Sequence, residues 1–417
     1  MGLQKLTIRD IPVDGQTVLV RADYNVPLTE KGRVRDDLRI KASLPTIEYL
    51  LERDCKVVII AHLGRPKGRD ESLSLEPVAK RLSKLLDKPV KFVDEVFGDK
   101  VKMAVKKAPK KSVLLLENLR YYKGEEDNDA AFAKKIAEST GARYFVQDGF
   151  GVVHRAHAST AAITLNIPSV AGLLLEKEYE TITRIIESPK QPFVAVFGGN
   201  KVADKIGMIE RVIDKADAII IGGAMANTFL NYKGFAMRSS LLERNQEAVL
   251  DKIYRKAQKK LDKNQSIEDF IILPSDVAVS KEIEQSAKRK VVKLGDLEPR
   301  ELALDIGDAS IERMVEVVSK AKTVIWNGTL GCATIPAFAH GSARLALTLA
   351  TNNATSLIGG GDTADFVVEW SGGDLSQFTH VSTGGGASLE LMAGEKLPGI
   401  ECLLDKHKYA TLKTKKA

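Results

Sequence analysis

Short apolar runs alternate along the chain with longer stretches of helical spacing. Thr17–Ala22 (TVLVRA), Lys56–Ala61 (KVVIIA), Val90–Val93, Ser112–Leu116 (SVLLL) and Tyr144–Gln147 read as buried strands. Between them, residues 39–53, about 75–86 and about 128–139 place apolar side chains at helical intervals. The rhythm resumes with Phe193–Phe197 (FVAVF), Ala218–Ile221, Thr323–Asn327, Ser356–Ile358 and His380–Thr383. A long helical pattern over Ala171–Pro189, closed by its proline, lies between the halves and fits a connecting helix and hinge. Strand–helix alternation predicts an α/β fold with two doubly wound, Rossmann-like parallel sheets. The domains are expected at 1–172 and 190–397, with 173–189 as the hinge between them.

The residues at the strand ends differ between the halves. Ligands in doubly wound sheets bind beyond the carboxyl ends of the strands. In the first half those ends carry Arg21, Asp23, Asn25, His62, Arg65, Arg120 and, slightly later, Arg155; Arg39 follows the first strand. So many guanidinium groups on one edge repel each other unless an anion joins them, and Arg matches carboxylate and phosphate with its planar fork. A small polyanion carrying both groups is the expectation; scattered surface ion pairs are the plainer alternative. In the second half the strand ends carry glycine instead: Gly198-Gly199, Gly222-Gly223, Gly328, Gly359-Gly360-Gly361 and Gly384-Gly385-Gly386. Bare backbone there suits close approach to an extended ligand. The stretch Phe193–Glu210 is expected to run strand, glycine turn, helix, with the helix N–H groups and Lys201 and Lys205 on one face forming an anion site. Asp362, at an expected helix start, is expected to cap that helix, to hold Mg²⁺ beside phosphate oxygens, or to do both.

Composition narrows the choices. The 417 residues exceed one ordinary core, and 44% hydrophobic content with 6% aromatic suits a Val-, Ile-, Leu- and Ala-rich α/β protein. No apolar run reaches the length of a membrane helix, and the N-terminal stretch lacks a signal-peptide core. Cys55, Cys332 and Cys402 lie far apart without metal-ligand spacing, which fits reduced thiols in a cytoplasmic protein. The net charge of +7 raises nucleic acid as a partner, but aromatics do not interleave with the basic clusters and no such partner is expected. The motifs GxxxxGK[ST], GxGxxG after the first strand, HExxH, GxSxG and CxxC are absent, which excludes standard P-loop, dehydrogenase, zincin and serine-hydrolase readings.

Several long stretches resemble phosphoglycerate kinase: RADYNVP at 21–27, LRIKAS at 38–43, AHLGRP at 61–66, ENLR at 117–120, DGFGVVHRAH at 148–157, GGNKVADKIG at 198–207, GGAMANTFL at 222–230, WNGTLG at 326–331, GGGDTA at 359–364 and STGGGASLELMAG at 382–394. The resemblance implies two domains closing over a deep interdomain cleft. It implies transfer of the acyl phosphate of 1,3-bisphosphoglycerate to ADP, giving 3-phosphoglycerate and ATP, with Mg²⁺ carried on the nucleotide. By position it assigns Arg21, Asp23, Asn25, Arg39, His62, Arg65, Arg120 and Arg155 to the phosphoglycerate, with Arg39 nearest the transferring group. It assigns Gly199, Lys201, Lys205, Gly223, Gly307, Asn327, Thr334, Gly359, Gly360, Gly361, Asp362 and Thr363 to the nucleotide, Asp362 to the metal, and Gly384 with Gly361 to the transferring phosphoryl group. A monomer is expected, and the basic end, 407–417, is expected to fray or, as part of 398–417, to lie on the first domain.

The sequence departs from the family pattern mainly on the nucleoside side. Asn200 stands where Ala is usual, Asp308 replaces the Pro of DIGP, and Thr334 takes the place of the Glu that contacts ribose hydroxyls. An altered nucleotide affinity or base preference is the expected consequence. Two rival functions are an aspartyl-nucleophile phosphatase or mutase built on Asp23, and a non-catalytic metabolite- or nucleic-acid-binding relative. Asn25 in place of a second carboxylate counts against the first, and the presence of Arg39, Lys201, Lys205 and Asp362 counts against the second.

Overall fold

A computed structural model describes residues 2–262 and 264–408. The chain divides into two compact units, Met1–Glu180 with the chain from Lys396, and Thr181–Glu395. The division falls inside the helix Leu173–Glu187.

The first unit holds strands β1 (Thr17–Arg21), β2 (Lys56–Ile60), β3 (Val90–Val93), β4 (Val113–Leu116), β5 (Tyr144–Gln147) and β6 (Ser169–Ala171). They form one parallel sheet in the order β3-β4-β2-β1-β5-β6. Alternate side chains of each strand point to opposite faces, so Val18 and Val20 join one apolar cluster while Leu19 joins the other. Both faces are therefore covered, and the strands read as unbroken apolar runs. Strand order reverses between β1 and β5, where Arg21 pairs in register with Gln147. From Lys396 the chain returns to this unit: Leu6 N donates to the Leu404 carbonyl at 2.7 Å and Leu404 N to the Ser169 carbonyl at 3.0 Å. Of the basic end, residues 409–417 lie outside the described residues.

The second unit holds β7 (Phe193–Phe197), β8 (Ala218–Ile221), β9 (Ile271–Ile272), β10 (Asp276–Ser280), β11 (Lys290–Lys293), β12 (Leu302–Ile306), β13 (Thr323–Asn327), β14 (Thr355–Gly359) and β15 (His380–Val381). The main sheet is parallel in the order β15-β14-β13-β7-β8-β9. Its order reverses between β7 and β13, whose last residues, Phe197 and Asn327, lie in register. A separate three-stranded antiparallel sheet, β11-β10-β12, was not expected from the sequence rhythm. The two large sheets are otherwise as the strand–helix alternation requires.

Candidate functional site

At the strand ends of the first unit, short loops bring cations together and brace them through side chains. Asp23, just past β1, accepts Arg39 Nη1 at 2.8 Å, and Arg39 is held there by the helix Leu38–Glu52. Asn25 Oδ1 accepts the Gly64 N–H at 2.9 Å, and Arg120 Nη1 donates to the Gly64 carbonyl at 2.7 Å. The loops after β1, β2 and β4 are thus tied at Gly64, whose φ of +65° few side chains tolerate. Burial lowers the Arg120 pKa most, and Arg155 and Arg65 lower it further, which puts these three charges within electrostatic reach of one another. Arg65 and Arg155 are exposed and make no ion pair among the described residues. Asp23 is buried and committed to Arg39 and the Asn25 N–H, which leaves it poorly placed as an aspartyl nucleophile.

Arg21 stands apart from this group. It is 1% exposed, and its guanidinium is spent inside the unit. Nε donates to Ser159 Oγ at 2.7 Å, Nη1 to the Ala22 carbonyl, and Nη2 contacts His62 Nδ1 at 3.0 Å. Buried Glu125 lies behind, 3.9 Å from Nη2, and accepts Ser159 Oγ at 2.6 Å. Burial drives the His62 pKa well below the ordinary 6.5, helped by Arg21, Arg120 and Arg39.

The second unit builds its edge from backbone. Gly198 N donates to the Asn327 carbonyl at 2.9 Å, Gly199 N to the Thr329 carbonyl at 2.8 Å, and Gly223 N to the Leu330 carbonyl at 2.8 Å. A Cβ on Gly198 would lie 2.2 Å from the Thr329 carbonyl oxygen, and one on Gly328 2.2 Å from that of Gly198. These glycines are needed for backbone to pass backbone, a reason distinct from the approach of a ligand that the sequence suggested. Gly361, by contrast, faces open space. Gly307 covers the Asp276 carboxylate, which accepts the Ala309 and Ser310 N–H groups at the start of the helix Asp308–Ser319.

The start of the helix after β7 differs from expectation. The α-helix is Ile206–Ile213, preceded by a 3₁₀ turn at Ala203–Lys205, so it opens later than Lys201. The early N–H groups are not free either: Glu243 Oε2 accepts Val202 N at 2.7 Å and Ala203 N at 3.2 Å. Nor do Lys201 and Lys205 share a surface face, because Lys201 is exposed while Lys205 is 8% exposed. The Lys205 amine lies 3.3 Å from where a Gly199 Cβ would sit. Burial lowers its pKa, and Asp204, Asp362 and Glu243 oppose the shift.

Around Asn327 the geometry leaves a polar atom waiting. Asn327 is 2% exposed, yet its Nδ2 has no hydrogen-bond partner. That atom lies 2.9 Å from where a Cβ of Gly360 would be, at the N-cap of the helix Gly361–Trp370. An orphaned donor beside a helix N-terminus suits a phosphate oxygen. Thr363 Oγ1 accepts the Gly328 N–H at 2.8 Å and keeps its own proton to donate. Gly360 occupies the cap, so Asp362 does not cap this helix; its exposed carboxylate accepts no hydrogen bond from the described residues. A single free carboxylate beside phosphate donors fits Mg²⁺, which takes one or two protein carboxylates and completes its shell with water and substrate. Gly384 is buried and donates to Ser382 Oγ at 3.2 Å. Thr334 is exposed, its carbonyl accepting Gln285 Nε2 at 2.9 Å.

Sequence reasoning passed over Glu125, Ser159 and Glu243. Their only signal is a polar residue inside an otherwise apolar or capped stretch, which does not name a partner distant in sequence.

Residues 8–395 match the family model described as phosphoglycerate kinase. The phosphoglycerate kinase of Dictyoglomus turgidum is 45% identical over 402 residues, covering 96% of this chain and 98% of that one. That of Pelotomaculum thermopropionicum is 45% identical over 405 residues, covering 97% and 100%. Among solved structures, phosphoglycerate kinase from Coxiella burnetii superposes with a TM-score of 0.80 at 35% identity, covering 95% of this chain and 98% of its own. The enzyme from Pyrococcus horikoshii gives 0.81 at 31% identity over 95% and 98%. With sheets, strand-end chemistry and full-length similarity in agreement, the chain belongs to the phosphoglycerate kinase family, whose members are phosphotransferases.

Proposed function

We propose that the first unit binds 3-phosphoglycerate or 1,3-bisphosphoglycerate, that the second binds ADP or ATP with Mg²⁺, and that the acyl phosphate passes reversibly between them. The observation that carries this is the group of strand-end cations, among which Arg65 and Arg155 have no carboxylate partner among the described residues. Arg39 neutralises charge at the transferring group, and Lys201 and Lys205 at the nucleotide phosphates. Asn327 Nδ2, Thr363 Oγ1 and the N–H groups of Gly360 and Gly361 point hydrogen-bond donors at phosphate oxygens. Asp362 would hold the metal, which supplies charge neutralisation on the phosphates when bound.

In-line phosphoryl transfer needs alignment and charge neutralisation more than covalent help from protein. The acceptor carboxylate is already ionised, so no general base is required. The two substrates must meet with water excluded, which a closing motion supplies. Thr334 offers no carboxylate to ribose hydroxyls, which supports an altered nucleoside preference. The reading places the enzyme, as a monomer, in glycolysis and gluconeogenesis in the cytoplasm; its three free cysteines suit a reducing compartment. A coupled assay of ATP formation from 1,3-bisphosphoglycerate, ADP and Mg²⁺ tests the reading: turnover that needs all three is expected, and none with intact protein would overturn it.

A further inference from the structure

Arg21 ends β1 among the substrate-side residues, yet its guanidinium is committed inside the unit, to Ser159 Oγ, the Ala22 carbonyl and His62 Nδ1. Its contact with His62 Nδ1, at 3.0 Å, has only one possible polarity. A guanidinium has five N–H donors and no acceptor, so Nδ1 must accept. A neutral imidazole that accepts at Nδ1 carries its proton on Nε2. A doubly protonated ring would set donor against donor.

We propose that Arg21 is a positioning residue that fixes His62 as the neutral Nε2–H tautomer, so that this ring offers the phosphoglycerate an uncharged N–H beside the strand-end arginines.

Arg21 is itself well anchored. Nε donates to Ser159 Oγ at 2.7 Å and Nη1 to the Ala22 carbonyl. Ser159 in turn donates to Glu125 Oε1 at 2.6 Å through Oγ and to Oε2 at 3.0 Å through its backbone N–H. Glu125 offsets the buried guanidinium charge from 3.9 Å. The groups facing His62 are all cationic or able to become so: Arg21 from β1, Arg39 from the helix Leu38–Glu52, Arg120 after β4, and His157 after β5. Of the nearby acids, Asp23 is committed to Arg39, and Glu125 to Ser159 and Arg21, with His157 Nδ1 3.8 Å away. Burial and these cations together oppose a second proton on the ring. The substrate's negative charge is then met by Arg39, Arg65, Arg120 and Arg155, while His62 fixes geometry without adding a charge that changes with pH.

The role toward the anion rests on the first unit being the phosphoglycerate site, but the tautomer can be read without any substrate. Full-length protein labelled with ¹⁵N-histidine gives the tautomer from long-range ¹H–¹⁵N correlations, with His62 identified by its loss in His62→Gln. The expected spectrum has an unprotonated Nδ1, a protonated Nε2, and no His62 titration across about pH 5 to 8. In Arg21→Met, which removes the donor, the ring should titrate upward towards the ordinary value of about 6.5. The ratio of variant to wild-type KM for 3-phosphoglycerate should then fall as the ring gains charge; taking the ratio cancels the substrate's own ionisation. A wild-type His62 protonated on Nδ1, or titrating near its ordinary value, overturns the proposal, and this holds even if Arg21→Met does not fold. An Arg21→Met ring that keeps the Nε2–H form without titrating overturns the role of Arg21. A ring that titrates while the KM ratio stays flat overturns its role toward the anion.

Discussion

On the proposed function, the two strand-end edges would hold their anions in opposite ways. In the first unit the work is done by side chains that brace one another: Arg39 on Asp23, Asn25 and Arg120 on the two sides of Gly64, Arg21 on His62. In the second it is done by backbone, with Gly198, Gly223 and Gly328 packed against neighbouring main chain and Asn327 Nδ2 left over beside Gly360. A compact anion with phosphate and carboxylate ends needs several directional forks. A chain of phosphates is served by N–H groups and point-charge lysines. The difference implies that damage to the two edges takes different forms: truncated side chains should cost turnover or binding in the first, while added side chains should cost folding in the second.

The largest effect expected is on chemistry. Arg39→Ala should lower turnover by on the order of 10³-fold in the coupled assay, since a charge-stabilising arginine in phosphoryl transfer is worth that much or more. The unfolding temperature should also fall, since the loss of Arg39 leaves the buried Asp23 carboxylate with the Asn25 N–H alone, so turnover is compared on protein shown to be folded. Next comes Gly198→Ala, whose Cβ would meet the Thr329 carbonyl oxygen at 2.2 Å. It should destabilise the second unit by about 3 kcal/mol in denaturant unfolding, whereas Gly361→Ala, facing open space, should leave the fold alone.

A smaller loss is expected from Asn327→Leu, which removes the unpartnered donor. Nucleotide Kd should rise roughly tenfold, as for one hydrogen bond to a charged oxygen, with stability unchanged or slightly raised. A further effect concerns pH. Burial raises Asp148 in the first unit and Asp305 in the second from 3.8 to about 7 each. Between about pH 4 and 7 the folded protein holds protons that the unfolded chain has released, so both groups make stability fall as pH rises. Asp148→Asn and Asp305→Asn should each flatten that slope, read by unfolding midpoints across the range.

Much of the fold was legible because parallel strands covered on both faces appear as apolar runs. Tyr144–Gln147, Phe193–Phe197 and Thr323–Asn327 need no knowledge of their neighbours. The antiparallel strands Lys290–Lys293 and Leu302–Ile306 were missed because their half-exposed alternation is weaker and sits among charged residues. At the sites, residue types at strand ends were readable, but their commitments were not. Arg21 looks like its arginine neighbours until its burial is seen, and the N–H groups after β7 look vacant until Glu243 is found across them. Helical spacing pairs Lys201 with Lys205, but a 3₁₀ turn intervenes where the spacing implies an unbroken helix. Long-range partners of this kind depend on tertiary packing that spacing alone does not encode.

The central claim, that each edge holds its own substrate, is tested most directly by calorimetric titration of Arg155→Ala and Lys201→Ala with 3-phosphoglycerate and with Mg-ADP separately. Arg155→Ala should weaken 3-phosphoglycerate and leave Mg-ADP unchanged, and Lys201→Ala should do the reverse. Two variants that each lose both ligands while remaining folded, or that lose neither, would contradict it.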